Sequence, residues 1–221
     1  MKTTTTRLLF SLAIGLLVFG SAAGGPLDPP GPPAPTMVTL QQIYDKLGIP
    51  AAVAKTGQTA CYDLFGNAIN CAGTGQDGAI QKGVSVSPRF TDNGNGSVKD
   101  NLTGLTWLKN ANCYGQQTLA NALSSANALA NGACGLTDGS TAGTWRLPNI
   151  KELESLIDFG QFFPALPAGH PFTGVQIGEY WSSTSDVANA QFAFFVIVGR
   201  GFVSEGAKGD PYYVWPVRGG Q

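Results

Sequence analysis

The sequence predicts an α+β protein, and three observations in its 221 residues support that class. Short runs of β-branched and aromatic residues are separated by glycine and asparagine turns, as in antiparallel sheets. Two segments of helical periodicity lie between these strands without alternating regularly with them, which disfavours a doubly wound parallel sheet. Charged residues make up only 12% of the chain and hydrophobic residues 43%, which excludes a disordered chain and a coiled coil.

The first 23 residues are typical of a secretory signal peptide. Lys2 and Arg7 form a basic start, the apolar run 8–19 follows, and Ser21-Ala22-Ala23 matches a small-residue cleavage site. The run is shorter than the ~20 residues of a membrane-spanning helix, so we expect no membrane span. The protein should be secreted, periplasmic or at the cell surface. A buried N-terminal helix is the alternative interpretation.

The charge balance argues against nucleic acid as a partner. Without Lys2 and Arg7, the 13 Lys and Arg residues fall to 11 against 14 Asp and Glu, a net charge of −3 at pH 7. A chain that is acidic on balance offers no overall positive field to a polyanion.

A proline- and glycine-rich linker and a short helix should precede the folded domain. Residues 24–36 contain too much proline for a helix or sheet and should be extended. Thr39 and Gln42 fit a capping box, and a two-turn apolar stripe follows before Gly48. That stripe should dock on its own chain or on a copy of itself. We divide the remainder into an N-terminal segment, 37–88, and a main domain, 89–221.

The four cysteines form two neighbouring pairs, Cys61 with Cys71 and Cys113 with Cys134. In an exported chain they are disulfide candidates. Three connectivities are open; bridges between neighbours are the natural choice, and each would remove ~3 kcal/mol of unfolded-state entropy in the chain-entropy model. Neither pair has the Cys-x-x-Cys spacing of a zinc site. We therefore expect no metal and no cofactor.

The main domain reads as three strands, two helices and further strands. Turns rich in asparagine and glycine separate the first three strands. The segment 117–131 presents one apolar helical face, and Asn149 is a good N-cap for a second helix that ends at Gly160. The predicted strands are 89–91, 97–100, 105–109, 180–184, 191–198, 202–205 and 212–218.

Several of these segments resemble the Lcl C-terminal domain family, bacterial secreted modules named for a collagen-like adhesin. The similarity covers about 130 residues of the chain. The segment CAGTGQDGAIQKGV (71–84) also looks like the one that often precedes that domain. The motifs that carry the resemblance are RFTDNGNGSVKDNLTGLTWLKNANC (89–113), WRLPNIKELESLIDFG (145–160), YWSSTS (180–185) and YVWPVRGGQ (213–221).

The resemblance implies a C-type-lectin-like fold in which the first and last strands pair. In the adhesin that names the family, the domain trimerises behind a collagen stalk and binds sulfated polysaccharides. A homotrimer and a glycan or surface-protein partner are therefore implied here. The stalk is missing and the chain is acidic on balance, so polyanion binding is not carried over. The calcium-site triplets of lectins, Glu-Pro-Asn or Gln-Pro-Asp with Trp-Asn-Asp, do not occur.

Two motifs in the chain match known sites by spacing alone. Residues 73–78 fit Gly-x-Gly-x-x-Gly, but a dinucleotide site needs these glycines between a strand and a helix of a βαβ unit. Here they follow Cys71 and lead into residues 80–84, which have no helical periodicity. The oxygen-rich segment 92–101 lacks the glycine and glutamate positions of an EF-hand loop. We interpret the first match as a false positive and the second segment as a hairpin turn.

The sequence offers few candidate catalytic residues, and we predict that none of them is catalytic. We therefore do not expect the protein to be an enzyme. His170 is the single histidine, and no pattern supplies it with a nucleophile or an orienting carboxylate. Glu152 and Glu154 face different sides of a helix. The motif 145–156 is also similar to one in formylglycine-generating enzymes, but their chemistry needs free cysteines. The four tryptophans should pack in the core rather than stack on sugars.

The roles of three loops are least explained by folding, and loops on a rigid sheet often carry binding residues. These loops are residues 185–189, 199–201 and 207–211. Arg200, in a glycine-flanked turn, is well placed to meet a carboxylate or sulfate, although a solvated turn arginine is the simpler interpretation. We predict an exported, non-catalytic recognition module. A structural or assembly subunit is the alternative, and a formylglycine-type enzyme ranks last. The candidate ligand residues are Asp186, Asn189, Arg200, Lys208 and Asp210.

Overall fold

The computed structural model describes residues 53–219, which contain eleven strands in three sheets and three short helices. The α+β class is confirmed. The predicted signal peptide, the linker and the helix after Thr39 lie outside the described residues. The elements are β1 Cys61–Tyr62, β2 Ala68–Ile69, α1 Asp77–Ile80, β3 Phe90–Asp92, β4 Ser97–Asp100, β5 Thr106–Leu108, β6 Gln116–Gln117, α2 Leu119–Ala128, α3 Ile150–Glu154, β7 Glu179–Ser185, β8 Phe192–Ile197, β9 Phe202–Ala207, β10 Tyr212–Tyr213 and β11 Val217–Arg218.

A four-stranded sheet with the order β11-β5-β4-β3 contains both ends of the main domain. Gly96, in the β3–β4 turn, has φ +82°, and a Cβ there would lie 2.2 Å from the Gly135 carbonyl oxygen. Only glycine fits this turn. The prediction that the first and last strands of the main domain pair with each other is wrong. β11 pairs with β5, and β3 lies at the opposite edge.

A five-stranded sheet has the order β6-β10-β7-β8-β9, in which β7, β8 and β9 form an antiparallel meander. The predicted strand 212–218 divides into β10, in this sheet, and β11, in the other. Pro216 lies between them, has no N–H for a ladder, and accepts from the Leu108 N–H through its carbonyl. The segment 212–218 therefore contributes one strand to each of the two sheets.

Both main helices are shorter than predicted. Helix α2 begins at Leu119 because Gln116–Gln117 pairs with β10 as a strand, and Leu129 has already left helical geometry. The predicted N-cap of α3 is confirmed, and it is part of a capping box: the Asn149 side chain accepts from the Glu152 N–H, and the Glu152 carboxylate accepts from the Asn149 N–H. The chain leaves α3 after Glu154, and the Asp158 N–H donates to the Ala165 carbonyl at 2.9 Å in the loop that follows.

The core consists of two apolar clusters on opposite faces of the five-stranded sheet. Tyr180 and Val196 belong to one cluster, whereas their strand neighbours Trp181 and Phe195 belong to the other. All four tryptophans are fully buried, which confirms the prediction of core packing. Within residues 53–219, none of the helices has the length and apolar character of a membrane span.

Both predicted disulfides are present. Cys61 pairs with Cys71, with a Cα–Cα distance of 5.2 Å, and closes the β1–β2 hairpin. Cys113 pairs with Cys134, with a Cα–Cα distance of 5.7 Å, and links the chain before β6 to the turn after α2. The cysteines are therefore oxidised and unavailable as thiols.

Candidate binding surfaces

The predicted ligand residues lie at two opposite ends of the β8–β9 hairpin. Arg200 is in the turn that joins these strands. Asp186, Asn189, Lys208 and Asp210 are in the loops at the other end. Six paired residues separate the two ends, which is roughly 17 Å at the rise of a strand. The structure brings four candidates to one end of the sheet and places Arg200 at the other.

The four candidates at one end of the hairpin form a four-residue loop cluster, and their polar side chains make hydrogen bonds largely within these loops. The cluster consists of Asp186, Asn189, Lys208 and Asp210. The Asp186 and Asn189 side chains each accept from a backbone N–H two residues later. The Lys208 ammonium donates to a carbonyl of the facing loop at 2.8 Å. The Tyr212 hydroxyl donates to Asp210 at 3.3 Å, and burial, together with the Asp210 charge, raises the pKa of Tyr212. These contacts give the loops a defined shape.

A shallow polar groove of about 500 Å³ adjoins this cluster. Pro211 forms part of its wall, and the Leu119 N–H donates to the Lys208 carbonyl at 3.0 Å, which joins the groove to the loop. The remaining lining side chains are amides or hydroxyls, and none carries a charge. They are Gln116, Gln117, Thr118, Asn121, Ser124 and Ser125.

The groove is held by contacts beneath it while its rim stays accessible. The buried Trp181 indole donates to the Gln117 carbonyl at 2.9 Å, and Ser125 donates to the Gln117 side-chain oxygen at 2.9 Å. Asn121 and Ser124 are exposed on α2. The sequence prediction missed this site, because polar residues on the outer face of an amphipathic helix look like an ordinary solvated surface.

The turn at Arg200 carries an exposed aromatic surface. The Arg200 guanidinium lies over the Phe163 ring, 5.5 Å from its centroid, and Phe162 meets Phe163 edge-on at 5.8 Å. The Phe163 N–H donates to the Gly199 carbonyl at 2.9 Å and fixes this loop to the turn. No carboxylate within residues 53–219 lies at ion-pair distance from Arg200. Its predicted contact with a carboxylate or sulfate stays a prediction.

A second cleft of about 320 Å³ lies between the N-terminal segment and the main domain. Its charged lining is mixed: Lys55 and Arg89 face Asp77 and Asp158. Arg89 is already committed to the buried Asp100 through two hydrogen bonds of 2.8 Å. With Arg89 neutralised by Asp100, the rest of the charged lining is one cation, Lys55, against two carboxylates, so the cleft offers no cluster of cations to an anionic ligand.

The described residues give His170 no catalytic partner. Its Nδ1 atom is buried without a hydrogen bond, and its ring lies 5.8 Å from that of Phe172. Burial lowers the pKa of His170. Glu152 pairs with Arg146 at 2.6 Å, and Glu154 pairs with Lys151 at 2.8 Å. The two carboxylates serve separate ion pairs.

The two motifs that match known sites by spacing have other structures. In the segment 92–101, the Asp92 carboxylate accepts from the Lys109 ammonium, and the hairpin β3–β4 forms. The expectation of no helix after the glycines of 73–78 is wrong, because the short helix α1 begins at Asp77, inside the segment. The Thr74 N–H closes a turn on the Cys71 carbonyl, and the segment joins a two-stranded hairpin to α1 rather than forming a βαβ unit. No cluster of three His, Cys, Asp or Glu side chains suited to a metal occurs within the described part of the chain.

Comparison with known proteins gives one family match. A family model described as the Lcl C-terminal domain matches residues 96–218, more than half of the chain. That range contains the polar groove, the four-residue loop cluster and the Arg200 turn. No curated protein matches the chain.

Proposed function

Since the chain belongs to the Lcl C-terminal domain family, we propose that it is an exported, non-catalytic adhesion module that binds a glycan through the polar groove beside α2. The family suggests a secreted, adhesin-like module. The groove supplies the surface on which the ligand assignment rests. Export is supported by the two disulfides, which persist in oxidising compartments.

The uncharged lining of the groove is the observation that carries the glycan assignment. Asparagine, glutamine, serine and threonine side chains both donate and accept hydrogen bonds, as sugar hydroxyls do. A lining of amides and hydroxyls therefore complements a neutral sugar better than it does a sulfate or phosphate. Asn121 and Ser124 lie three residues apart on the exposed face of α2 and can engage neighbouring hydroxyls.

The proposal also includes a C-type-lectin-like fold. Both ends of the main domain meet in one sheet, α2 packs against the second sheet, and a disulfide links the chain on either side of α2. These features support the lectin-like assignment and put the groove on a rigid frame.

A non-catalytic role is supported by the chemistry of the candidate residues. The four cysteines are oxidised, so a mechanism that uses a free thiol has no thiol among them. His170 lacks a polar partner within the described residues, and Glu152 and Glu154 are held in ion pairs. We therefore assign recognition rather than turnover.

A glycan array tests the proposal directly. The chain without its first 23 residues should bind a subset of neutral glycans displayed at high density, because a shallow groove gives weak single contacts that multivalent display strengthens. Asn121→Ala should reduce binding at least about fivefold, equivalent to a hydrogen bond of ~1 kcal/mol. Asn127→Ala is the matched control, since Asn127 is exposed on the same helix outside the groove.

Two results would count against this function. An array with no binding above background would remove the glycan assignment. Equal losses in Asn121→Ala and Asn127→Ala would show that the groove is not the binding site.

A further inference from the structure

The strand β9 is an exposed edge of the five-stranded sheet. Its first four residues, Phe202 to Glu205, are exposed, and β8 lies on one side of it only. It pairs with β8 at all six positions without a bulge. The opposite edge of this sheet, β6, has only two residues. Within the described residues, β9 is thus the longest strand with an open side.

The open side presents backbone groups that are ready to pair. The Lys208 N–H donates to the Gln191 carbonyl at 3.0 Å, so the backbone of residue 208 faces β8. Backbone direction alternates along a strand, and the even-numbered residues of β9 therefore face β8. The N–H and C=O groups of Val203 and Glu205 point to the open side. No other group of the described chain bonds to them there.

Devices that usually protect an edge strand are missing from β9. Natural edges are blunted by lysine, proline, a bulge or short length. The sequence Phe-Val-Ser-Glu-Gly-Ala contains one charge and no proline or lysine. Phe202 is 55% exposed and Val203 is 41% exposed, so apolar surface adjoins the open backbone groups.

We propose that two copies of this chain associate by antiparallel pairing of their β9 strands, with Val203 on the twofold axis. An antiparallel edge is an isologous surface, and the same strand supplies both partners. The pairing would extend the five-stranded sheet into one continuous ten-stranded sheet.

The charge pattern of β9 selects this register. With Val203 opposite itself, Glu205 lies opposite Gly201 of the second copy and one residue from its Arg200. If the axis passed through Ser204 instead, Arg200 of one copy would lie opposite Lys208 of the other, and two cations would face each other. If the axis passed through Glu205, the Glu205 carboxylates of the two copies would lie opposite each other. Like charges directly opposite each other destabilise a strand pair.

The same register buries the exposed apolar side chains. The two Val203 side chains become cross-strand neighbours. Each Phe202 lies opposite Ser204 of the second copy, and the two Phe202 side chains lie diagonally across the axis at roughly 7–8 Å, within reach of aromatic rings. Charge attraction and apolar burial therefore favour one arrangement.

Light scattering coupled to size exclusion tests the association. The chain without its first 23 residues should give the mass of a dimer that dissociates on dilution. Val203→Lys should give a monomer, because two lysines would meet on the axis. Val187→Lys should remain dimeric, since Val187 is 98% exposed in the β7–β8 loop and is not part of the pairing strand. Circular dichroism melts would show that both variants fold.

A cysteine variant tests the register without adding charge. Val203→Cys should form an intermolecular disulfide on mild oxidation, because paired strand residues have Cα atoms about 5.5 Å apart, within the disulfide range. Val187→Cys should not cross-link at the same rate. Glu205→Arg should weaken the dimer, and adding Arg200→Glu should restore it.

The dimer replaces the homotrimer that the family resemblance implies, since this twofold contact closes at two copies. The proposal fails if the wild-type chain is a trimer, or a monomer at all concentrations. It also fails if Val203→Lys dimerises as well as the wild type. A monomer that captures an extended peptide along β9 would assign the edge to another protein's strand. Glycan binding is read separately on the array, so either proposal can fail alone.

Discussion

At the residue scale, His170 makes stability depend on pH in a defined window. It is the single histidine of the chain, and burial lowers its pKa in the folded state from an ordinary value of 6.5. Between the folded pKa and 6.5 the unfolded chain binds more protons, so stability falls as the pH is lowered through that window.

The pH prediction is therefore specific to one side chain. Urea midpoints measured between pH 7.5 and 5.5 should decrease for the wild type and stay level for His170→Gln. An equal pH dependence in both proteins would show that His170 is not responsible.

Asp100 is a buried carboxylate that is paired with a cation. It is fully buried, receives two hydrogen bonds from Arg89, and also accepts from the Thr103 hydroxyl at 2.8 Å. Asp100→Ala should lower the free energy of unfolding by about 3–5 kcal/mol, because it leaves the Arg89 cation without its partner. Lys99→Ala, at the exposed neighbouring position, should change it by less than ~0.5 kcal/mol. A denaturant titration of both variants measures the difference, and similar losses would contradict this role of the pair.

At the element scale, α3 depends on its capping box. Asn149→Ala removes the side-chain acceptor for the Glu152 N–H and should destabilise the protein by ~1 kcal/mol. Thermal unfolding should show a lower midpoint than that of Asn127→Ala, which removes an exposed asparagine without a cap. Equal midpoints would mean that the cap contributes nothing measurable.

Local signals predicted the elements well where short-range chemistry decides them. The asparagine cap, the glycine turn at Gly96 and the neighbouring cysteine pairs are all read from a few adjacent residues. Gln116–Gln117 and the segment 212–218 were predicted poorly, because their structure follows from partners far along the chain. The polar groove was missed because its residues on α2 look like an ordinary solvated helix face, and the groove forms only where α2 and Pro211 come together.

At the scale of the whole molecule, the length of the β8–β9 hairpin separates the polar groove from the Arg200 turn. The polar groove and four predicted loop residues lie at one end of β8–β9, and Arg200 with its aromatic neighbours lies at the other. The sequence indicated loops rich in polar residues but could not place them at opposite ends, because that distance depends on the strand pairing. Recognition at the groove and pairing along β9 can therefore occur in one molecule.

The most direct test of the account is a map of amide chemical shifts as a glycan selected on the array is added to the isotope-labelled chain. We predict that the shifts change at Gln116, Asn121 and Ser124 and in the adjoining 208–211 loop, and that the Arg200 turn is unaffected. Shifts confined to Arg200 and Phe163, with the groove unchanged, would contradict the assignment of the binding site.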